Sequence, residues 1–223
     1  FPHDGAQSEM QLRLAFLLIV FIHVILAARA EVVAVEVSAG EWDRTETLIH
    51  FPLPGFRNKT LGLRSKGGLV LPLQVDRAGV ATFILPKLAK DKATFFDLVT
   101  ENPRLPPVIL VKHAKDKLRF SHQDKTILEY QAEPGALPRK DIDKIYARGG
   151  YLHPVYTPQG KLVTDDFPLQ HTHHHGIWFP WTKAEFEGRH PDFWNSGDGS
   201  ARVDFLKLET NWSGAVHGGF VAR

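Results

Sequence analysis

The stretch that decides the fold is Gly68-Leu-Val-Leu-Pro-Leu-Gln-Val-Asp-Arg-Ala-Gly-Val-Ala-Thr-Phe-Ile-Leu85. Two runs rich in β-branched and large apolar residues flank Asp76-Arg-Ala-Gly79, where Asp and Gly favour a tight reversal. Neither run shows a 3.6-residue apolar period, so both read as strands of one hairpin. Working outward, the same punctuation recurs. Residues 32–37, 47–51 and 61–64 lie before the hairpin, and Pro52-Leu-Pro-Gly55 closes the second of them. Residues 94–99 follow as a further strand or a short helix. Short strands every 8–12 residues with Gly, Pro or Asp between them predict an all-β fold, an antiparallel β-sandwich.

Residues 103–107 are proline-rich and give the best boundary between two β units, 31–103 and 104–223. Beyond them, 108–112, 117–120 and 126–130 read as strands, with Gln123-Asp-Lys125 as a tight turn. Thr157-Pro-Gln-Gly160 is another turn, and 161–165 returns from it. An alternating strand at 203–210 and a start at 220–223 predict a sandwich that is incomplete at the C-terminus.

Residues 1–30 read as lying outside the fold. Met10-Gln-Leu-Arg13 is a short basic start, 14–26 is apolar apart from His23, and Ala28-Arg-Ala30 has the form of a cleavage site. Together they predict a secretory signal peptide, with residues 1–9 as upstream sequence, and hence an exported protein, periplasmic or extracellular. The apolar run is shorter than the roughly 20 residues a spanning helix needs. No membrane span is therefore expected after cleavage.

With 223 residues and 43% apolar composition the chain can bury a substantial core. It has no cysteine, which excludes disulfides, thiol nucleophiles and cysteine-held metals. A formal charge of +2 without a basic stripe argues against a nucleic-acid partner. No phosphate-binding loop, dinucleotide glycine pattern, G-x-S-x-G elbow or H-E-x-x-H occurs.

The chemistry concentrates in Phe167-Pro-Leu-Gln-His-Thr-His-His-His-Gly-Ile-Trp-Phe-Pro-Trp181. Four of the twelve histidines fall within five positions there, His171, His173, His174 and His175. If extended, His171, His173 and His175 share one face and could converge on a divalent metal. Alternatively the cluster is a metal-free ligand or proton-transfer site, or it is structural. Crowded imidazoles disfavour one another's protonation, so most should be neutral and able to act as acid or base. Trp178 and Trp181 offer stacking faces for a sugar ring, although in a strand they point to opposite sides. Asp165 and Asp166 likewise alternate, so at most one reaches the site. Residues 151–175 as one hairpin would bring His153 close to the cluster. Arg148, beside Gly149-Gly150, is a candidate for binding an anion. Trp194 and Trp212 are further aromatic candidates, and His190 and His217 lie on loops.

Residues 148–195 carry Arg-Gly-Gly-Tyr-Leu-His-Pro-Val-Tyr-Thr-Pro-Gln-Gly, Val-Thr-Asp-Asp-Phe-Pro, His-Thr-His-His-His-Gly-Ile-Trp-Phe and Asp-Phe-Trp-Asn. This resembles an exported bacterial family of unknown function labelled PmoA-like, or "methane oxygenase PmoA". In that family the stretch reads His-x-His-His-Arg-Gly; His175 stands here at the arginine position. The label borrows the name of a multi-span membrane subunit, and no such span follows residue 30. The resemblance implies a galactose-mutarotase-like β-supersandwich, an architecture that binds carbohydrates through histidines and a late carboxylate. It makes His153, His173 and His174 the catalytic candidates, with Arg148, Asp165, Asp166, His171, Trp178 and Trp181 around the ligand. The carboxylate would lie beyond Arg223 or be Glu185, Glu187 or Glu209. The leading expectation is an exported carbohydrate-binding or carbohydrate-processing protein acting on a small-molecule or glycan ligand, with no required cofactor. Alternatives are a metal-dependent oxidase or hydrolase using the same histidines, and a non-catalytic cell-envelope binding module.

Overall fold

The structure is a computed structural model, and it describes residues 33–100 and 107–223. The expected signal peptide lies outside the described residues, as does nearly all of the proline-rich boundary. Among the described residues, twelve strands and two one-turn 3-10 helices (Pro54–Phe56 and Lys144–Tyr146) make up the regular structure. The strands form antiparallel, curled sheets, as the short-strand pattern requires. No helix among the described residues is long and apolar enough to cross a membrane.

The first sheet holds β1 (Ala34–Ser38), β2 (Arg44–Pro52), β3 (Lys59–Ser65), β4 (Val70–Val75), β5 (Val80–Leu88) and β6 (Ala93–Val99), in the order β1-β6-β3-β4-β5-β2. The strand-or-helix ambiguity at 94–99 resolves as strand. Its ladder partners on both sides, β1 and β3, supply hydrogen bonds that a short helix would have to forgo. Alternate residues point inward. Val35, Val37, Ile49, Phe51, Leu61, Leu63, Leu73, Phe83, Leu85 and Phe96 form one core, with Phe83 edge-on to both Phe51 and Phe96. Burying a side chain of this size contributes about 1.5–3 kcal/mol.

The second sheet runs β10-β9-β8-β7, from β7 (Ile109–Ala114), β8 (Lys117–His122), β9 (Lys125–Gln131) and β10 (Tyr151–Val155). A hairpin of β11 (Leu208–Trp212) and β12 (Gly219–Ala222) packs on it. Phe220 lies 4.4 Å from the ring of Tyr130 and 5.8 Å from that of Phe120, and Phe205 and Leu208 fill the remaining space. Two faces closed over one apolar layer make this half sandwich-like. The expected strand at 203–210 begins only at Leu208. The expected return strand at 161–165 is reduced to a single bridge between Tyr156 and Leu162, made by the bonds from Val163 N–H to Val155 O and from Thr157 N–H to Lys161 O.

Gln74 ties the halves together. Its Oε1 accepts from the backbone of Val216 and His217, both at 3.1 Å, and its Nε2 donates to His217 O at 3.1 Å. Gln74 is buried, and its bond from the Val216 N–H is buried with it.

Candidate functional site

The site lies beside β10, where three things shape the chain. Gly149 lets the segment carrying Arg148 lie on the end of β9: a Cβ there would stand 1.9 Å from Ala132 O. Gly176 does the same against β10, since its Cβ would meet Leu152 O at 2.0 Å. Next to it, Leu152 and Ile177 exchange both backbone bonds, at 2.9 and 3.0 Å, so the histidine stretch is laid along the free edge of β10. Phe167 adopts a left-handed φ of 51°, uncommon for a bulky residue. Its N–H donates to His174 O and its carbonyl accepts from Arg139 Nη1, which hold the turn.

The histidines are therefore not extended. His171 N–H bonds back to Pro168 O and His174 N–H to His171 O, so residues 168–174 coil through two turns. That corrects the period-two expectation and sorts the four rings differently. His171 stacks on His174 at 4.7 Å and 23°, and His173 meets His174 edge-on at 4.4 Å. Trp178 (5.4 Å) and Trp194 (5.2 Å) close on His174, and Tyr146 lies 5.9 Å from His173. Trp194 is held by Asp192, whose Oδ1 accepts from the backbone N–H groups of Trp194 and Asn195.

His175 goes to the interior and is 2% exposed. Its Nδ1 is 2.9 Å from Asp166 Oδ1, and the Tyr151 hydroxyl donates to Asp166 Oδ2 at 2.9 Å. A carboxylate oxygen only accepts, so Nδ1 carries the proton in this bond. Burial, then the charge of Asp166 and the bond to it, push the Tyr151 phenol far above its ordinary range, so it stays a donor. The set His171, His173 and His175 is thus not assembled around one point. Among the described residues no group of three or more His, Asp or Glu side chains is placed to hold a metal ion.

The two aspartates divide through a bend at Asp166, not through strand alternation. Asp166 serves the buried pair, and Asp165 is exposed and caps the Asp166 N–H. His153 joins neither group. Its Nδ1 is 2.9 Å from Thr164 Oγ1, which also accepts from Val155 N–H. Trp181 is 69% exposed and takes no part in the ring cluster. Glu187 pairs with Arg189, and Glu209 with Lys207 and Arg223, so these two expected carboxylates are engaged elsewhere. His217 bonds to Trp212 Nε1 at 3.2 Å, near Gln74.

Electrostatically, His173 and His174 are biased toward the neutral imidazole. Enclosure, then the neighbouring imidazoles, lower the pKa of His173 and of His174 below the ordinary imidazole value. His173 Nε2, His174 Nε2 and Trp178 Nε1 are enclosed and have no hydrogen-bond partner, and the same holds for Arg148 Nη2. Unpaired buried polar atoms are rare and costly, at roughly 1–3 kcal/mol each.

Fold and site together define an all-β protein with curled antiparallel sheets and an aromatic, histidine-rich cluster on the edge of the second one. Residues 117–223 match the model of a family of unknown function, DUF6807. That span contains every residue of the cluster. No curated protein and no solved structure matches the chain.

Proposed function

We propose that this is an exported carbohydrate-binding protein whose ligand sits against His173, His174, Trp178 and Trp194. One observation carries the reading: three enclosed nitrogens without partners stand within a single cluster of aromatic rings. A neutral imidazole Nε2 donates or accepts according to tautomer, while an indole N–H only donates. A polyol satisfies all three, because each hydroxyl is at once donor and acceptor. The ring faces suit the C–H surface of a pyranose. A galactose-mutarotase-like supersandwich, which the PmoA-like resemblance implies, would bind sugars too, although likeness of fold is not by itself evidence of function.

Neutral His173 and His174 are also suited to moving a proton to or from a sugar oxygen, which makes carbohydrate processing the natural extension. The test is a thermal-shift screen of the full chain against neutral and acidic mono- and oligosaccharides. At least one sugar should raise the melting temperature, and His173→Ala/His174→Ala should abolish that rise. A panel without any shift refutes the reading.

A further inference from the structure

Arg148 is a cation without a partner. Its Nε makes a 3.3 Å bond to Gly149 O, its Nη2 is enclosed and unbonded, and among the described residues no carboxylate lies within ion-pair distance of it. The nearest acid in electrostatic terms, Asp204, is held by Arg202. Asp166 has both oxygens engaged, by His175 and Tyr151. Arg148 is half-buried, and shielding its Nη2 from water without a partner carries a cost that an arriving anion would recover.

Arg148 opens onto a small pocket that it shares with Arg202, His173, His175, Tyr146 and Ser196. No acidic residue lines it. It also borders a second hollow of about 190 Å³ lined by Gln131, Tyr151 and Asp166. The shared pocket offers only about 20 Å³ of free space. That is room for one or two oxygen atoms, since a single water needs about 10–15 Å³ on this measure. That space is on the scale of the two oxygens of a carboxylate. His173, with its own unpartnered Nε2, belongs to this pocket and to the ring cluster, so a ligand spanning both would place a sugar ring on the rings and an acid group at Arg148.

We infer that the ligand is an acidic carbohydrate, a sugar bearing a carboxylate of the uronic-acid kind, whose carboxylate is held by Arg148. This inference rests on the carbohydrate reading. Two oxygens facing a guanidinium make the bidentate pair that arginine geometry favours.

Matched pairs give the test: glucose against glucuronate and galactose against galacturonate, as monomers and short oligomers, titrated calorimetrically into the full chain. We expect uronates to bind at least ten-fold more tightly than their neutral counterparts. Arg148→Gln should erase the difference while leaving weak binding of both, and Arg148→Lys should restore part of it. The exposed Arg189→Gln should change nothing. Inorganic phosphate should not displace the uronate; displacement would overturn the carboxylate assignment. Equal binding of neutral and acidic sugars overturns the inference and leaves the carbohydrate reading standing. Absence of any sugar binding overturns both. Should Arg148→Gln fail to fold, the matched pairs in the unaltered protein still decide.

Discussion

Asp166→Ala is the most informative single change in the protein. The carboxylate holds two buried donors at once, the hydroxyl of Tyr151 and Nδ1 of His175, each at 2.9 Å. Deleting it orphans both. An orphaned buried donor costs about 1–3 kcal/mol, and the neighbouring hollow admits some water, so roughly 2–4 kcal/mol is the expected loss. Asp166→Asn should cost only about 1 kcal/mol, because an amide oxygen can still accept from Tyr151 while His175 changes tautomer to accept from the amide NH₂. Tyr151→Phe in the Asp166→Ala background should recover part of the loss by removing one orphan, giving a non-additive cycle. Urea unfolding followed by tryptophan fluorescence is the assay, since Trp178 lies 6.1 Å from the His175 ring and reports on this region. If Asp166→Ala changes stability by less than about 0.5 kcal/mol, or the cycle is additive, the buried pair is not what anchors the histidine turn. Asp165→Ala, by contrast, removes one exposed cap and should cost about 0.5–1 kcal/mol.

Two further changes probe the same region. Gly176→Ala places a Cβ 2.0 Å from Leu152 O. It should force the stretch off β10 at a cost of roughly 1–3 kcal/mol, with faster amide exchange at Leu152 and Ile177; unchanged protection of those amides would refute the close approach. The lowered pKa values of His173 and His174 set the sign of a pH effect. The unfolded chain binds more protons between their folded values and the ordinary 6.5, so this contribution is complete above pH 6.5 and is lost as pH falls below it. The melting temperature should therefore drop between pH 7.5 and 5.5, and His173→Gln/His174→Gln should flatten the slope. His217, lowered chiefly by its own burial, leaves a residue of the same sign. A slope indifferent to the double substitution would show that the two imidazoles bind protons equally in the folded and unfolded chain, and so are not held neutral by the cluster.

The amino-acid sequence by itself determined five of the six strands of the first sheet, because alternation and turn chemistry are local; β6 was settled as strand by its ladder partners on both sides. It also singled out the candidate stretch, because four histidines and two tryptophans within eleven residues are visible in the chain. It did not decide between Asp165 and Asp166: the chain bends at Asp166, and Tyr151 and His175 claim that carboxylate. Tertiary structure decided how the histidines divide. A left-handed Phe167 anchored by Arg139, two successive turns and a glycine pressed on β10 send His175 inward to Asp166 and gather His171, His173 and His174 under Trp178 and Trp194. None of these contacts has a period, and Trp194 arrives from a loop twenty residues away, positioned by Asp192. The link through Gln74 likewise joins residues more than 140 apart. Arg148 makes the difference plainest. Its place beside two glycines is written in the chain, but the absence of a counter-charge follows from which carboxylates the fold has already committed elsewhere.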